Sequence, residues 1–385
     1  MKISTLLALL PLAMAAPAKR DSPAPVVVPR GVRLVDGKYI VKMKGESSIQ
    51  SVSSALSSIK AHADHTYTHS FHGFAASLSP DELEKLRQDP NVDFIEQDAI
   101  MTISNTQTGA DWGLSRISSR KAGSSVYTYD KSAGAGTCAF VIDTGVEDSH
   151  PEFEGRAKFL KNFADDGDDT DGNGHGTHVS GTIGSSKYGV AKKTKIFGVK
   201  VLDAAGSGEN SNVIAGMDYV AREAKNQHCP KGIVVNMSLG GSESEAINQA
   251  AAGITKAGLF LAVAAGNDGI DASYSSPASA PSACTVGATT NTDTLAEYSN
   301  IGPIVDILAP GSDILSTWIG GTTNTISGTS MASPHVAGIG AYFLGKGRKV
   351  NGLCDYIVQT GIKNVIKDVP SGTVNVIINN GMSSK

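Results

Sequence analysis

Three side chains in this sequence have the types that acyl transfer by a serine nucleophile requires. Ser330 lies in Gly328-Thr329-Ser330-Met331-Ala332-Ser333-Pro334-His335, followed by small apolar residues that read as a helix. That places Ser330 at the helix N-terminus with Pro334 in the first turn, where free N–H groups and the helix dipole favour a developing oxyanion. His175 sits among glycines in Gly172-Asn173-Gly174-His175-Gly176-Thr177-His178, and Asp143 ends the apolar run Ala139-Phe140-Val141-Ile142. A serine hydroxyl needs a histidine to take its proton, and a carboxylate to fix the imidazole tautomer. Each alone reads more blandly, Asp143 as a turn or cap residue and Ser330 as a cap or solvated hydroxyl. His175 and His178 are three apart and lack the H-E-x-x-H pattern of zinc hydrolases.

The elements that must hold these groups follow from the apolar pattern. Residues 138–142, 196–202, 233–239 and 259–264 are short β-branched runs that read as buried parallel strands. Helical stretches at 212–226 and 243–257 lie between them. This alternation predicts an α/β fold, a doubly wound and mostly parallel sheet with helices on both faces, whose functional residues gather at the carboxyl ends of strands. Ahead of a polar break at 100–110, residues 37–98 read as a separate small α/β domain. Lys38 to Met43 alternates as a half-buried strand, 71–78 and 91–96 read as further strands, and Ser79 with Glu82 forms a capping box around Pro80. That helix would carry Leu83 and Leu86 on one face and stop by Asp89-Pro90. The histidines of this region (His62, His65, His69, His72) are irregularly spaced and read as surface residues.

The N-terminus bears on the compartment. Lys2, the apolar stretch 6–12 and Ala13-Met14-Ala15 read as a secretory signal, residues 1–15, too short to span a bilayer, although a short anchor is the competing reading. Lys19-Arg20 is a candidate trimming site. A net charge of −4 gives no basis for a nucleic-acid or polybasic membrane partner. Cys138, Cys229, Cys284 and Cys354 are an even set without a C-x-x-C pair, which in an exported chain favours two disulfides with three possible pairings.

The motifs carry a resemblance. Val141-Ile142-Asp143-Thr144-Gly145, Gly174-His175-Gly176-Thr177-His178 and the Ser330 segment occur in the order Asp, His, Ser, and they resemble the three catalytic signatures of the subtilisin family, the subtilases. Tyr188-Gly189-Val190-Ala191-Lys192-Lys193 and residues 311–321 resemble its proteinase K group of fungal extracellular proteases. The resemblance implies a secreted serine endopeptidase in which Ser330 is the nucleophile, His175 the general base, Asp143 the orienting carboxylate and Asn267 the oxyanion donor. It implies that Gly206-Ser207-Gly208 and Ser238-Leu239-Gly240 flank an extended peptide. The P1 pocket would lie between the latter and Ala264-Ala265-Gly266, with small residues there leaving room for aliphatic or aromatic side chains. Residues 16–105 resemble an inhibitory propeptide, folded over about 37–98, which the peptidase of 106–385 would cut off itself near Ser104, Asn105 or Thr106. The disulfides implied are Cys138 with Cys229 and Cys284 with Cys354, each worth about 4 kcal/mol in the chain-entropy model. Val179 stands where such relatives often carry a free cysteine, so thiol reagents are expected to have little effect.

No catalytic cofactor is implied. A structural calcium would be held by Asp306 with the carbonyls of Pro281 and Ala283, oxygen ligands that suit the ion. A second calcium is not expected, because it would need an acidic side chain where Val365 now falls and a hydroxyl near Arg120. Expected partners are protein and peptide substrates and the chain's own propeptide, acting on a monomer. The sequon Asn236-Met237-Ser238 falls in a buried strand and is expected to go unused. Two other functions remain to be weighed: a non-catalytic secreted binding protein on this fold, and an α/β-hydrolase esterase. Against the esterase, Ser330 is followed two residues on by Ala332 rather than glycine, and only His335 follows it.

Overall fold

A computed structural model of the chain describes residues 22–28, 34–44, 49–67, 72–99, 104–164 and 166–382. The expected signal peptide, Lys19-Arg20, His69 and the links at 100–103 lie outside them. The chain divides into two compact units, residues 1–101 and 102–385.

In the first unit, period-two patterning builds a five-stranded sheet in the order Val26–Val27, Val92–Ala99, Leu34–Met43, Gly73–Ser77, Ala63–Tyr67. The helices Ile49–Ser57 and Pro80–Arg87 contribute Val52, Ala55 and Leu86 to a core with Val41, Met43, Phe74 and Ile95. Ser79 and Glu82 exchange the two hydrogen bonds of a capping box, and Pro80 occupies the first helical position. His62 and His65 are exposed and His72 half-buried.

In the second unit a nine-stranded sheet runs Ile362–Lys363, Val376–Ile377, Ile307–Pro310, Cys284–Thr289, Phe260–Ala264, Gly232–Met237, Thr137–Asp143, Lys195–Lys200, Ala157–Asn162. Every neighbouring pair is parallel except the first, which is antiparallel. Alternate residues of the central strand serve opposite faces. Ala139 and Val141 pack with the helices His175–Gly184 and Thr329–Gly345. Cys138, Phe140 and Ile142 pack with Asn210–Glu223 and Glu245–Lys256. With both faces covered, the strands read as continuous apolar runs. The Thr329–Gly345 helix is buried all round except at Ser330, which accounts for its lack of a polar stripe. Both disulfides are formed, Cys138–Cys229 and Cys284–Cys354.

The chain passes from the Thr137–Asp143 strand outward on one side, then returns to Gly232–Met237 on the other. This reversal opens a crevice at the carboxyl ends of the strands, where Asp143, Ser238 and Ala265 emerge. One expectation needs correction. The Ser330 helix begins at Thr329, so Pro334 is its sixth residue and lies beyond the first turn. A proline there leaves the Ser330 carbonyl without its helical N–H partner, and the Ser238 hydroxyl donates to that carbonyl instead, at 2.7 Å.

Candidate active site

Asp143 ends its strand fully buried, and His175 opens a helix. Gly174, the residue before that helix, has φ of +104°, and a side chain on it would run into the Trp318 ring. Only glycine meets both demands. His175 Nδ1 lies 2.7 Å from Asp143 Oδ1, which also accepts the Thr144 N–H at 2.8 Å. Burial alone would lower the imidazole pKa, but the Asp143 carboxylate beside it and the more distant Asp171 outweigh that, and the pKa is raised above its ordinary value.

Asp171 was not singled out from sequence. Its buried carboxylate accepts from the Thr144 hydroxyl, the Gly174 N–H, and both the N–H and hydroxyl of Thr177. These bonds tie the end of the Asp143 strand to the start of the His175 helix. The signal available was its place four residues before His175 in a glycine-rich loop. His178 points away from this site, its Nε2 facing the carbonyls of Ile314 and Asn324. Burial depresses its pKa to about 4.

Ser330 stands at the N-terminus of its helix, half-exposed, and its hydroxyl donates to the Ser238 carbonyl at 3.2 Å. Among the hydrogen bonds of the described residues none joins it to His175, and such contacts often tighten only when substrate binds. Asn267 Oδ1 accepts both the N–H (2.8 Å) and the hydroxyl (2.9 Å) of Thr329. Since the Thr329 N–H can only donate, the amide orientation is fixed and Asn267 Nδ2 remains as a donor.

Two cavities flank Ser238-Leu239-Gly240. One, of about 450 Å³, is bounded on its other sides by His175, Asn173, Leu202 and Gly206-Ser207-Gly208. The other, of about 390 Å³, is bounded by Ala264-Ala265-Gly266, Asn267 and Ser330. Ile270 and Tyr274, which sequence reasoning passed over, also line the second cavity; they are 47% and 66% exposed. Among the described residues of the second unit they are the large exposed hydrophobic side chains. Asn236 is fully buried, its amide on the Ser238 hydroxyl and its oxygen accepting from Ser333. No helix among the described residues is long and apolar enough to cross a membrane.

Residues 134–368 match the model of the Subtilase family, and residues 38–104 match that of Peptidase inhibitor I9. The chain belongs to the subtilase family. This subtilase is 70% identical over 292 residues to Proteinase T of Parengyodontium album, across 76% of its own length and 100% of that protein. It is 55% identical over 388 residues to the Cuticle-degrading protease of Metarhizium anisopliae, covering 99% and 100% of the two chains. A crystal structure of a cold adapted subtilisin-like serine proteinase superposes with a TM-score of 0.67 at 45% identity, covering 71% of this subtilase and 99% of that chain. The family and its N-terminal inhibitor domain make this chain a serine endopeptidase of zymogen architecture and set aside the esterase and binding-protein readings.

Proposed function

We propose that this subtilase is a secreted endopeptidase of broad specificity that frees itself from its propeptide and cleaves after large apolar residues. The observation that carries the reading is that the cavity lined by His175, whose Nδ1 meets Asp143, and the cavity lined by Ser330 and Asn267 share the wall formed by Leu239 and Gly240. Ser330 Oγ attacks the scissile carbonyl carbon while His175 Nε2 takes its proton. Asp143 holds the Nδ1–H tautomer and stabilises the imidazolium. The carbonyl oxygen, now negative, is met by Asn267 Nδ2 and the Ser330 N–H, which has no helical partner at this position. His175 then protonates the departing amine, and water repeats the sequence on the acyl-enzyme.

An extended substrate would lie along Ser238-Leu239-Gly240 and Gly206-Ser207-Gly208, bonding through its backbone and thereby accepting many sequences. The apolar rim of Ile270 and Tyr274 beside the small residues 264–266 supports a preference for aliphatic and aromatic P1 side chains. The expected calcium also fits the donor set. Asp306 is joined to Thr285, two residues after Ala283, by two hydrogen bonds, N–H to Thr285 O at 2.9 Å and Oδ2 from the Thr285 N–H at 2.8 Å. Burial, with the Asp355 carboxylate nearby, raises its pKa, a cost that a divalent cation held by Asp306, Pro281 and Ala283 would relieve. The ion would pin residues 281–283. The neighbouring sulfurs of Cys284 and Cys354 are spent in a disulfide and do not compete as ligands.

The decisive experiment compares the mass and N-terminal sequence of secreted wild type with Ser330→Ala. Wild type is expected to begin near Thr106 while the variant stays a precursor. If both mature alike, self-processing is wrong; if neither is processed and no peptide is cut, the endopeptidase reading falls.

A further inference from the structure

The loop of residues 265–270 carries Asn267 and forms one wall of the P1 cavity, yet it lies on the surface and has no regular structure beyond the end of its strand. Thr329 holds Asn267 Oδ1 and the Gly266 N–H, and backbone bonds join Ala265 to Val286, Gly269 to Tyr298 and Ile270 to Ile301; beside these, one more side chain from elsewhere in the chain grips the loop. Asn300 is fully buried, and its polar groups are directed at this loop. Its N–H donates to the Gly266 carbonyl at 2.9 Å. Its Nδ2 donates to the Ala265 carbonyl at 3.0 Å. Its Oδ1 accepts the N–H groups of Asp268 at 3.0 Å and Ile270 at 3.2 Å. The amide therefore grips the loop on both sides of Asn267. The fit leaves no slack, for Gly266 has φ of +107° and a Cβ there would strike Asn300 Nδ2.

We propose that Asn300 is a positioning residue for the reaction. By clamping residues 265, 266, 268 and 270 it aims the Asn267 amide at the forming oxyanion. Only an asparagine offers this combination at this length, a planar group with an acceptor for two N–H donors and a donor for one carbonyl. A misplacement of about 1 Å at a reacting centre can cost about 100-fold in rate, so release of the clamp should act on the chemical step more than on substrate binding. The inference rests on the assignment of Asn267 as the oxyanion donor.

The test is a double-mutant cycle on the mature enzyme, with precursors of slow variants trimmed by a trace of tagged wild type that is then removed. Asn300→Ala is expected to lower kcat about 10- to 100-fold with KM changed less than about threefold. In an Asn267→Ala background the same change should cost less than about threefold in kcat, because the group it aims has gone. Equal losses in both backgrounds would overturn the proposal and leave Asn300 a structural residue, as would an unchanged kcat in Asn300→Ala. Should Asn300→Ala not fold, Asn300→Asp serves the same cycle, since it keeps the acceptor and loses the Ala265 donor. If Asn267→Ala alone leaves kcat intact, the oxyanion assignment itself has failed, and that result is distinguishable from additive losses.

Discussion

His175 Nδ1 lies 2.7 Å from Asp143 Oδ1, while the second oxygen of the same buried carboxylate has no hydrogen-bond partner among the described residues. The contacts of Asp143 thus fall on one oxygen, shared between His175 and the Thr144 N–H. Together with Asp171, Asp143 raises the imidazole pKa against the opposing effect of burial. Catalysis needs the neutral imidazole, so the acid limb of kcat/KM is expected above the ordinary imidazole pKa of about 6.5. Asp171→Asn should move that limb downward. A pH–rate profile of both enzymes checks this, and an unmoved limb would remove Asp171 from the electrostatics of the site.

Two other histidines are expected to weaken the fold in acid. Burial depresses the pKa of both His178 and His335 to about 4. In the unfolded chain they would protonate near 6.5, so the folded state is favoured fully above that pH and loses stability as pH falls toward 4. With both groups titrating, the slope is on the order of 3 kcal/mol per pH unit in that window. Denaturant unfolding of covalently inhibited enzyme between pH 4 and 8 measures it; a flat stability above pH 5 would contradict the burial of both rings.

The exposed side chains of Ile270 and Tyr274 beside the cavity proposed to take the P1 side chain give a specificity prediction. Replacing both by serine should lower kcat/KM for a P1 phenylalanine peptide about tenfold, while P1 alanine changes less than about twofold. Equal losses on the two peptides would mean that the rim does not touch the P1 side chain.

Ser238 completes the Ser330 helix where Pro334 cannot. Ser238→Ala should destabilise the enzyme by about 1–3 kcal/mol, the cost of an unpaired buried carbonyl, and lower kcat as well. Calorimetry and steady-state kinetics on one preparation test the two effects together.

Much of this was legible in the sequence because it is local. The strand ending at Asp143 and the helix opening at His175 are written in consecutive residues, and so is the capping box of Ser79 and Glu82. What sequence did not disclose depends on distant partners. Asn300 meets its loop about 30 residues earlier in the chain, and nothing around it, in Tyr298-Ser299-Asn300-Ile301, distinguishes it from a turn asparagine. Asp171 reads as one more polar loop residue until Thr144 and Thr177 are brought to it. Pro334 reads as a first-turn proline, whereas it is the sixth residue of the helix, a place that depends on Ser238 supplying the missing donor.

That last bond has a wider meaning. Ser238 begins the edge along which a peptide would lie, and its hydroxyl and carbonyl both engage Ser330, at 2.7 and 3.2 Å. The edge proposed to receive the target and the helix that carries Ser330 are thus joined directly to each other. An edge anchored in this way would yield little to a folded surface, and the target would have to supply the deformation. The enzyme's victims would then be chosen less by sequence than by how readily a stretch of their chain unravels, and a tightly folded protein would survive in its presence until something else loosened it.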